Sequence, residues 1–290
     1  MPSDDTQHLG NVSVRSEPPA EAGASPVRQG FDKTVRYQLS IVVLTYNGED
    51  LLDDCLESIR QQTIPCDYEV VVVDNGSTVP AKPPKWVRLV RYADNAGNIE
   101  GTNRCIRAAQ GEWILFVAND VRLQPGCVRD LWLAVKTLWD NIGLVQPILM
   151  QPDGQVDNAG LRWVWPGYGL RLRKTQYYFA WEVPVVANTC WMAKTAGLAG
   201  GFDKDLGISH EDVDLCLALS RFKRRHFVVN TKATHLMGQT IGRVVRKPLS
   251  PYYHQARLRV LEKHYSGAAY WARRVAVEIL DWLSRRRPGR

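Results

Sequence analysis

Two apolar runs, LSIVVLTYN (Leu39 to Asn47) and YEVVVVDNGS (Tyr68 to Ser77), constrain this chain more than any other feature. Each is a continuous stretch of branched residues with no polar alternation, the pattern of a strand covered on both faces. Between them, EDLLDDCLESIRQQ spaces Leu51, Leu52, Cys55, Leu56 and Ile59 at helical intervals. Strand, helix and strand in that order make a β-α-β unit, whose crossover leaves the two strands parallel. The pattern repeats: VRLVRY reads as a short strand, TNRCIRAAQG as a helix closed by Gly111, and EWILFVAND as a third strong strand. The expected fold is α/β, a doubly wound and mostly parallel sheet flanked by helices.

Sheets of this kind bind ligands beyond the carboxyl ends of their strands. Here those ends are polar: Thr45-Tyr46-Asn47, Asp74-Asn75 and Asn119-Asp120 should converge on one crevice. TYNGED follows the first strand where a dinucleotide fold would carry GxGxxG, and the chain has no Walker A sequence. The first two tips offer hydrogen-bonding groups suited to a base and ribose, and the third offers a carboxylate suited to a divalent cation.

A third stretch, ISHEDVDLCLALSRF, sets Glu211, Asp212 and Asp214 at the mouth of a helical run. Ser209 and Asp212 have capping-box spacing, and acids at a helix N-terminus are favoured by its dipole. A carboxylate fixed there also meets the demand of general-base chemistry.

Residues 1–36 are rich in Pro, Ser, Gly, Asp and Glu without apolar period, and read as a disordered leader. No run of 18 apolar residues and no signal-peptide pattern occurs, so the expected location is cytoplasmic. The six cysteines lack metal or disulfide spacing and read as buried thiols. The net charge of +7 is concentrated at one end: residues 243–290 hold 12 Lys or Arg against 3 Asp or Glu, leaving 25 basic and 27 acidic residues elsewhere. No nucleic-acid motif accompanies that charge.

Taken together, SIVVLTYNGEDLLDDCLESIRQQT, YEVVVVDNGST, NAGNIEGTNRCIRAAQGEWILFVANDV, GGFDKDLGISHEDVDLCLAL and HLMGQT resemble the family 2 glycosyltransferases of the GT-A fold, the bacterial rhamnosyltransferase-like members above all. The resemblance covers roughly Leu39 to Tyr265 and implies a GT-A domain over 37–245, followed by a C-terminal basic amphipathic helical extension over 246–290. It implies that Thr45, Tyr46 and Asn47 line the nucleotide pocket, that Asp74 accepts from the N3–H of a uracil or thymine, and that Asn95, Gly97 and Asn103 border nucleotide and sugar. Asp120 matches the last acid of the D-x-D metal motif, and Ala118 replaces its first residue. His235, Gly238 and Thr240 match the segment beside metal and diphosphate, where Mg²⁺ or Mn²⁺ is implied. Asp212 falls on the catalytic base, with Glu211, Arg243 and Trp191 as weaker candidates for diphosphate or acceptor.

The implied activity is inverting transfer of a sugar, rhamnose from dTDP-rhamnose in the first instance, onto a bacterial cell-surface glycan or lipid-linked precursor. A UDP-hexose transferase and a nucleotide-sugar-binding pseudoenzyme are the alternatives. A sugar nucleotidyltransferase would need a Gly-rich, basic phosphate loop that TYNGEDLL lacks. Trp163, Trp165, Tyr168, Tyr177, Tyr178 and Trp181 cluster where an acceptor would be read, by stacking or as core. The last segment places Trp271, Val275, Ile279, Trp282 and Leu283 on one helical face, which either packs on the domain or meets an anionic membrane at the inner face of the cell membrane.

Overall fold

The computed structural model describes residues 35–138, 141–164, 168–172, 178–207, 209–236 and 250–285. Residues 1–34 of the expected leader, Gly238, Thr240 and Arg243 lie outside them, as do Trp165 and Tyr177. β1 (Tyr37–Thr45), α1 (Glu49–Arg60) and β2 (Tyr68–Asn75) form the expected unit. β3 (Arg88–Tyr92), α2 (Gly97–Ala108) and β4 (Gly111–Ala118) follow. The chain continues through β5 (Val121–Leu123), α3 (Cys127–Thr137), β6 (Ile142–Met150) and β7 (Val156–Asn158), then the hairpin β8 (Leu161–Val164) and β9 (Tyr168–Arg171). β10 (Ala180–Val183), β11 (Cys190–Lys194), α4 (Glu211–Arg221), β12 (Arg225–His235), α5 (Ser250–His264) and α6 (Gly267–Arg285) complete it.

The main sheet runs in the order β10-β12-β6-β11-β4-β1-β2-β3, with β5 beside β12 and β7 beside β6. β4, β1, β2 and β3 are mutually parallel, as are β6 and β12, whereas β11 lies antiparallel between β4 and β6. Ile41, Val42, Val43, Val71, Val72, Val73, Ile114, Leu115 and Val117 are fully enclosed, the two-faced burial that uninterrupted branched runs require. All six cysteines are buried free thiols.

The helix before β4 begins at Gly97, earlier than its sequence suggests, and Gly111 opens β4 instead of closing the helix. The physical reason is proximity. A Cβ on Gly111 would lie 2.5 Å from the Ser40 amide nitrogen and 2.7 Å from the Leu39 carbonyl carbon, so only glycine lets β4 settle against β1. A buried polar knot holds the same end of the sheet. Gln110 and Gly111 amides donate to Ser40 Oγ (3.0 and 2.7 Å), Ser40 donates to Glu69, and Arg88 bridges Glu69 (2.8 Å) to the Ala108 carbonyl (2.7 Å). Gly111→Ala should therefore cost about 2–4 kcal/mol, since the obstruction is backbone and not a movable side chain. A urea-unfolding midpoint equal to wild type would contradict this.

Candidate active site

Strand register levels the carboxyl ends of the central strands. Thr45 pairs with Asp74 across β1 and β2, and Leu44 pairs with Ala118 across β1 and β4. Asn119 then donates from Nδ2 to Thr45 Oγ1 (3.1 Å), and the Asn47 amide donates to Ser77 Oγ (3.0 Å) while Asn47 Oδ1 accepts from the Thr78 amide (2.8 Å). The three tips thus meet directly. Asn47 holds a left-handed backbone (φ 48), which asparagine tolerates, and leaves its side chain on the open rim beside the half-buried Tyr46.

Asp74 is sealed from solvent and accepts from the Ser77 amide (2.8 Å), the Ala81 amide (3.0 Å) and Arg91. Burial opposes its charge, but these hydrogen bonds and the guanidinium hold the carboxyl below its usual range. A carboxylate has about four acceptor positions, so the loop already uses most of them. Asn75 donates to Asn95 Oδ1 (3.1 Å) and the Gly97 carbonyl (3.0 Å) and accepts from Arg104 (2.8 Å), which also grips Asp94. Asn95 and Gly97 (φ +83) therefore form an exposed lip tied to the β2 tip. Asn103 faces elsewhere: its amide donates to the Phe202 carbonyl (2.9 Å) and accepts from the Phe202 amide (2.7 Å), bracing a loop 99 residues away.

β5 runs antiparallel to the end of β12, setting Val121 opposite His235, so Asp120 and His235 meet. His235 Nε2 lies 3.6 Å from Asp120 Oδ2, and Nδ1 lies 3.3 Å from Asp157 Oδ2. Burial disfavours the imidazolium, yet hydrogen bonds to both carboxylates outweigh it and raise the pKa to about 9. Asp157, on β7, carries no motif and was not legible in the sequence. Among the described residues no cluster of three or more His, Cys, Asp or Glu is arranged for a metal ion. Asp120 fits a cation as a carboxylate donor, and His235 becomes a second donor once it gives up the proton that the two carboxylates favour, a set suited to an ion that arrives with phosphate oxygens and water.

The acidic helix reaches the same rim through the loop before β11. The Ala118 amide donates to the Thr189 carbonyl (2.9 Å), and neighbouring Asn188 donates to Glu211 Oε1 (3.2 Å). Trp191 departs from its expected place. It is 1% exposed, stacked on Phe116 (5.3 Å between centroids), and presents no ring face to a sugar; its indole N–H instead donates to Asn188 Oδ1 (2.9 Å). Asn188 is thus a positioning residue whose role only the fold reveals. The expected capping box is also absent: His210 caps α4 in a left-handed conformation (φ 65) without a side-chain cap bond, and Ser209 pairs with His210 Nδ1. Half-buried Asp212 stands in the first turn, its Oδ1 accepting from the Val213 amide (2.8 Å). Asp214 turns away into the C-terminal helices, held by Lys263 (2.7 Å) and His264 (2.6 Å). Of the aromatic cluster, Trp181 is buried and Tyr178 is exposed.

A sequence profile of Glycosyl transferase family 2 matches residues 40–199, more than half of the chain, and the chain belongs to that family. It is 38% identical over 93 residues to the poly(ribitol-phosphate) beta-glucosyltransferase of Bacillus spizizenii, covering 29% of this chain and 15% of that protein. It is 28% identical over 221 residues to the O-antigen biosynthesis protein RfbC of Myxococcus xanthus, covering 69% of this chain and 17% of the relative. The chain therefore spans under a fifth of the length of either relative. Among solved structures, GalNAc-T7 with UDP, GalNAc and Mn²⁺ superposes with a TM-score of 0.59 at 16% identity, covering 78% of this chain and 48% of that one, which shows a shared GT-A fold.

Burial first, and then the neighbouring Asp212 charge, raises the Glu211 pKa to about 7. A carboxyl raised in the folded state favours folding while protonated and loses that contribution as pH climbs through about 7. Glu211→Gln should flatten this dependence, melting several degrees above wild type at pH 8 and level with it near pH 5. Parallel melting curves for the two proteins between those pH values would contradict the assignment.

Proposed function

We propose that the chain is an inverting glycosyltransferase that moves a sugar from a pyrimidine nucleotide, dTDP-rhamnose first among candidates, onto a bacterial cell-surface glycan or its lipid-linked precursor. The supporting observation is the meeting of three strand tips with an acidic helix start on one rim. Thr45, Tyr46 and Asn47 would enclose the nucleoside, with the Asn95–Gly97 lip beside it; Asp74, expected to accept from a base N–H but sealed from solvent, would act by holding the Ser77–Ala81 loop under the pocket. Asn103 would act indirectly, by fixing the loop at Phe202. Residues 37–245 would be the catalytic domain and 246–290 an appended helical extension.

Asp212 would take the proton of an acceptor hydroxyl as that oxygen bonds to the anomeric carbon and the carbon–oxygen bond to diphosphate breaks, releasing nucleoside diphosphate and inverting the centre. Asp120 and His235 would hold a divalent cation shared with the diphosphate; such an ion offsets the charge gathering on the leaving group. Glu211 and the positioning residue Asn188 would keep the helix start fixed beside Ala118.

Ala118 and the enclosure of His235 between two carboxylates favour one rival, a binding-only domain, and a single variant separates the two. Asp212→Asn should retain donor-induced thermal stabilisation while transfer falls by about 10²–10⁴-fold. Undiminished transfer would remove Asp212 as the base. For the donor, ligand at 100 times its Kd contributes about 2.7 kcal/mol of stability. dTDP- or UDP-sugars with Mn²⁺ should raise the melting temperature more than GDP-mannose, and the reverse order would overturn the pyrimidine assignment.

A further inference from the structure

The outer face of α6 carries large apolar side chains that stay about half exposed, Trp271 among them even with Tyr270 edge-on against its ring (5.2 Å between centroids). Trp271 is 60% exposed, Val275 53%, Ile279 52%, Trp282 50% and Leu283 45%. At 100° per residue these positions form one stripe, and at 1.5 Å rise the twelve steps from Trp271 to Leu283 extend it about 18 Å along the helix. The opposite face does the packing: Ala276 and Val277 are buried, and α6 lies along α5. The apolar face, for which packing on the domain and contact with a membrane were both open, is therefore turned to solvent.

Charge identifies what covers this stripe. α6 contains two acids, Glu278 and Asp281, and both lie against His254 of α5, at 3.2 and 3.7 Å. Arg274 pairs with Glu262 of α5, which offsets another acid beside the helix. The chain then continues from Leu283 into Ser-Arg-Arg-Arg-Pro-Gly-Arg, four arginines without an acid. An apolar stripe with two tryptophans, with Asp281 covered, Glu278 half exposed at its edge but paired with His254, and a cationic segment at its end, matches an interfacial helix at an anionic surface. No described helix is long and apolar enough to cross a membrane. A second copy of the chain would bring an identical cationic end to the same face, so charge disfavours self-association.

We infer that α6 docks its Trp271–Leu283 face into the surface of an anionic phospholipid bilayer, with the terminal arginines against the headgroups. This deepens the lipid-linked acceptor reading, for a catalytic crevice moored at a bilayer meets its acceptor at high local concentration, but the docking itself needs no donor or acceptor.

The test is sedimentation of the full chain with vesicles of phosphatidylcholine alone or with 30% phosphatidylglycerol, a proportion of roughly the order that gives a bilayer a strongly negative surface. Wild type should bind the anionic vesicles at least tenfold more tightly, and each arginine replaced by Gln should weaken binding by roughly fivefold at low salt. Ile279→Asp, at an exposed position, should abolish binding while its melting temperature and nucleotide-sugar response stay those of wild type. Equal binding to both vesicle types, no binding at all, or undiminished binding by Ile279→Asp would overturn the proposal. So would a dimer in light scattering that Ile279→Asp converts to monomer, which would make the stripe a contact between copies. Vesicle binding without any response to nucleotide sugars would leave the docking intact and remove the transferase reading.

Discussion

The parallel register of β4, β1 and β2 is the constraint on which the rest of the site depends. Side chains at strand ends can build a pocket only if the strands finish at the same height. The pairing of Thr45 with Asp74 and of Leu44 with Ala118 achieves that level finish. In their carboxyl halves both runs are apolar on both faces and give way to polar residues only at Thr45 and Asp74, so a slip of one strand would draw a polar tip into the apolar interior or push a valine out of it, and the points where the runs end thereby favour alignment of the tips. At the opposite ends of the same strands, Gly111 permits close approach, and the Ser40–Glu69–Arg88 knot locks the pairing through buried hydrogen bonds. Fold stability and site geometry are consequences of one packing solution.

The acidic helix is joined to that frame by a short polar chain through Trp191, Asn188 and Glu211. Its energetic character is unlike that of the strand tips. Glu211 is enclosed, and that burial raises its pKa; the charge of neighbouring Asp212 raises it further. Asp214, three positions along the helix from Glu211, meets Lys263 and His264 instead and ties α4 to the C-terminal pair. One helix turn thus presents a carboxylate at the rim, a second enclosed behind it, and a third in the scaffold.

Much of the fold was legible because its strands are covered on both faces and spell themselves out as unbroken branched runs. The three tips were legible for the same reason, being the first polar residues after each run. What escaped was set by contacts distant in sequence. Asp157 reaches His235 across 78 residues, and Asn188 gains meaning only from partners on α2, β11 and α4. Trp191 was legible as an aromatic near the cleft, but only its stacking on Phe116 reveals it as core. Ser209 showed capping spacing, yet the left-handed turn at His210 moved the helix start past it. The tail was legible as amphipathic, whereas the direction its apolar face takes is set by the fold, which buries Ala276 and Val277 and leaves Trp271, Val275 and Ile279 exposed.

Amide hydrogen exchange of the full chain, with and without a dTDP- or UDP-sugar and Mn²⁺, tests the central claim most directly, because it reports where a donor lands and not merely whether it binds. The account expects new protection at 45–48, 74–78, 94–98 and 119–120 together, with the buried strand interiors unchanged. Protection confined to other surfaces, or to only one of those four segments, would contradict a nucleotide pocket built on the level strand ends.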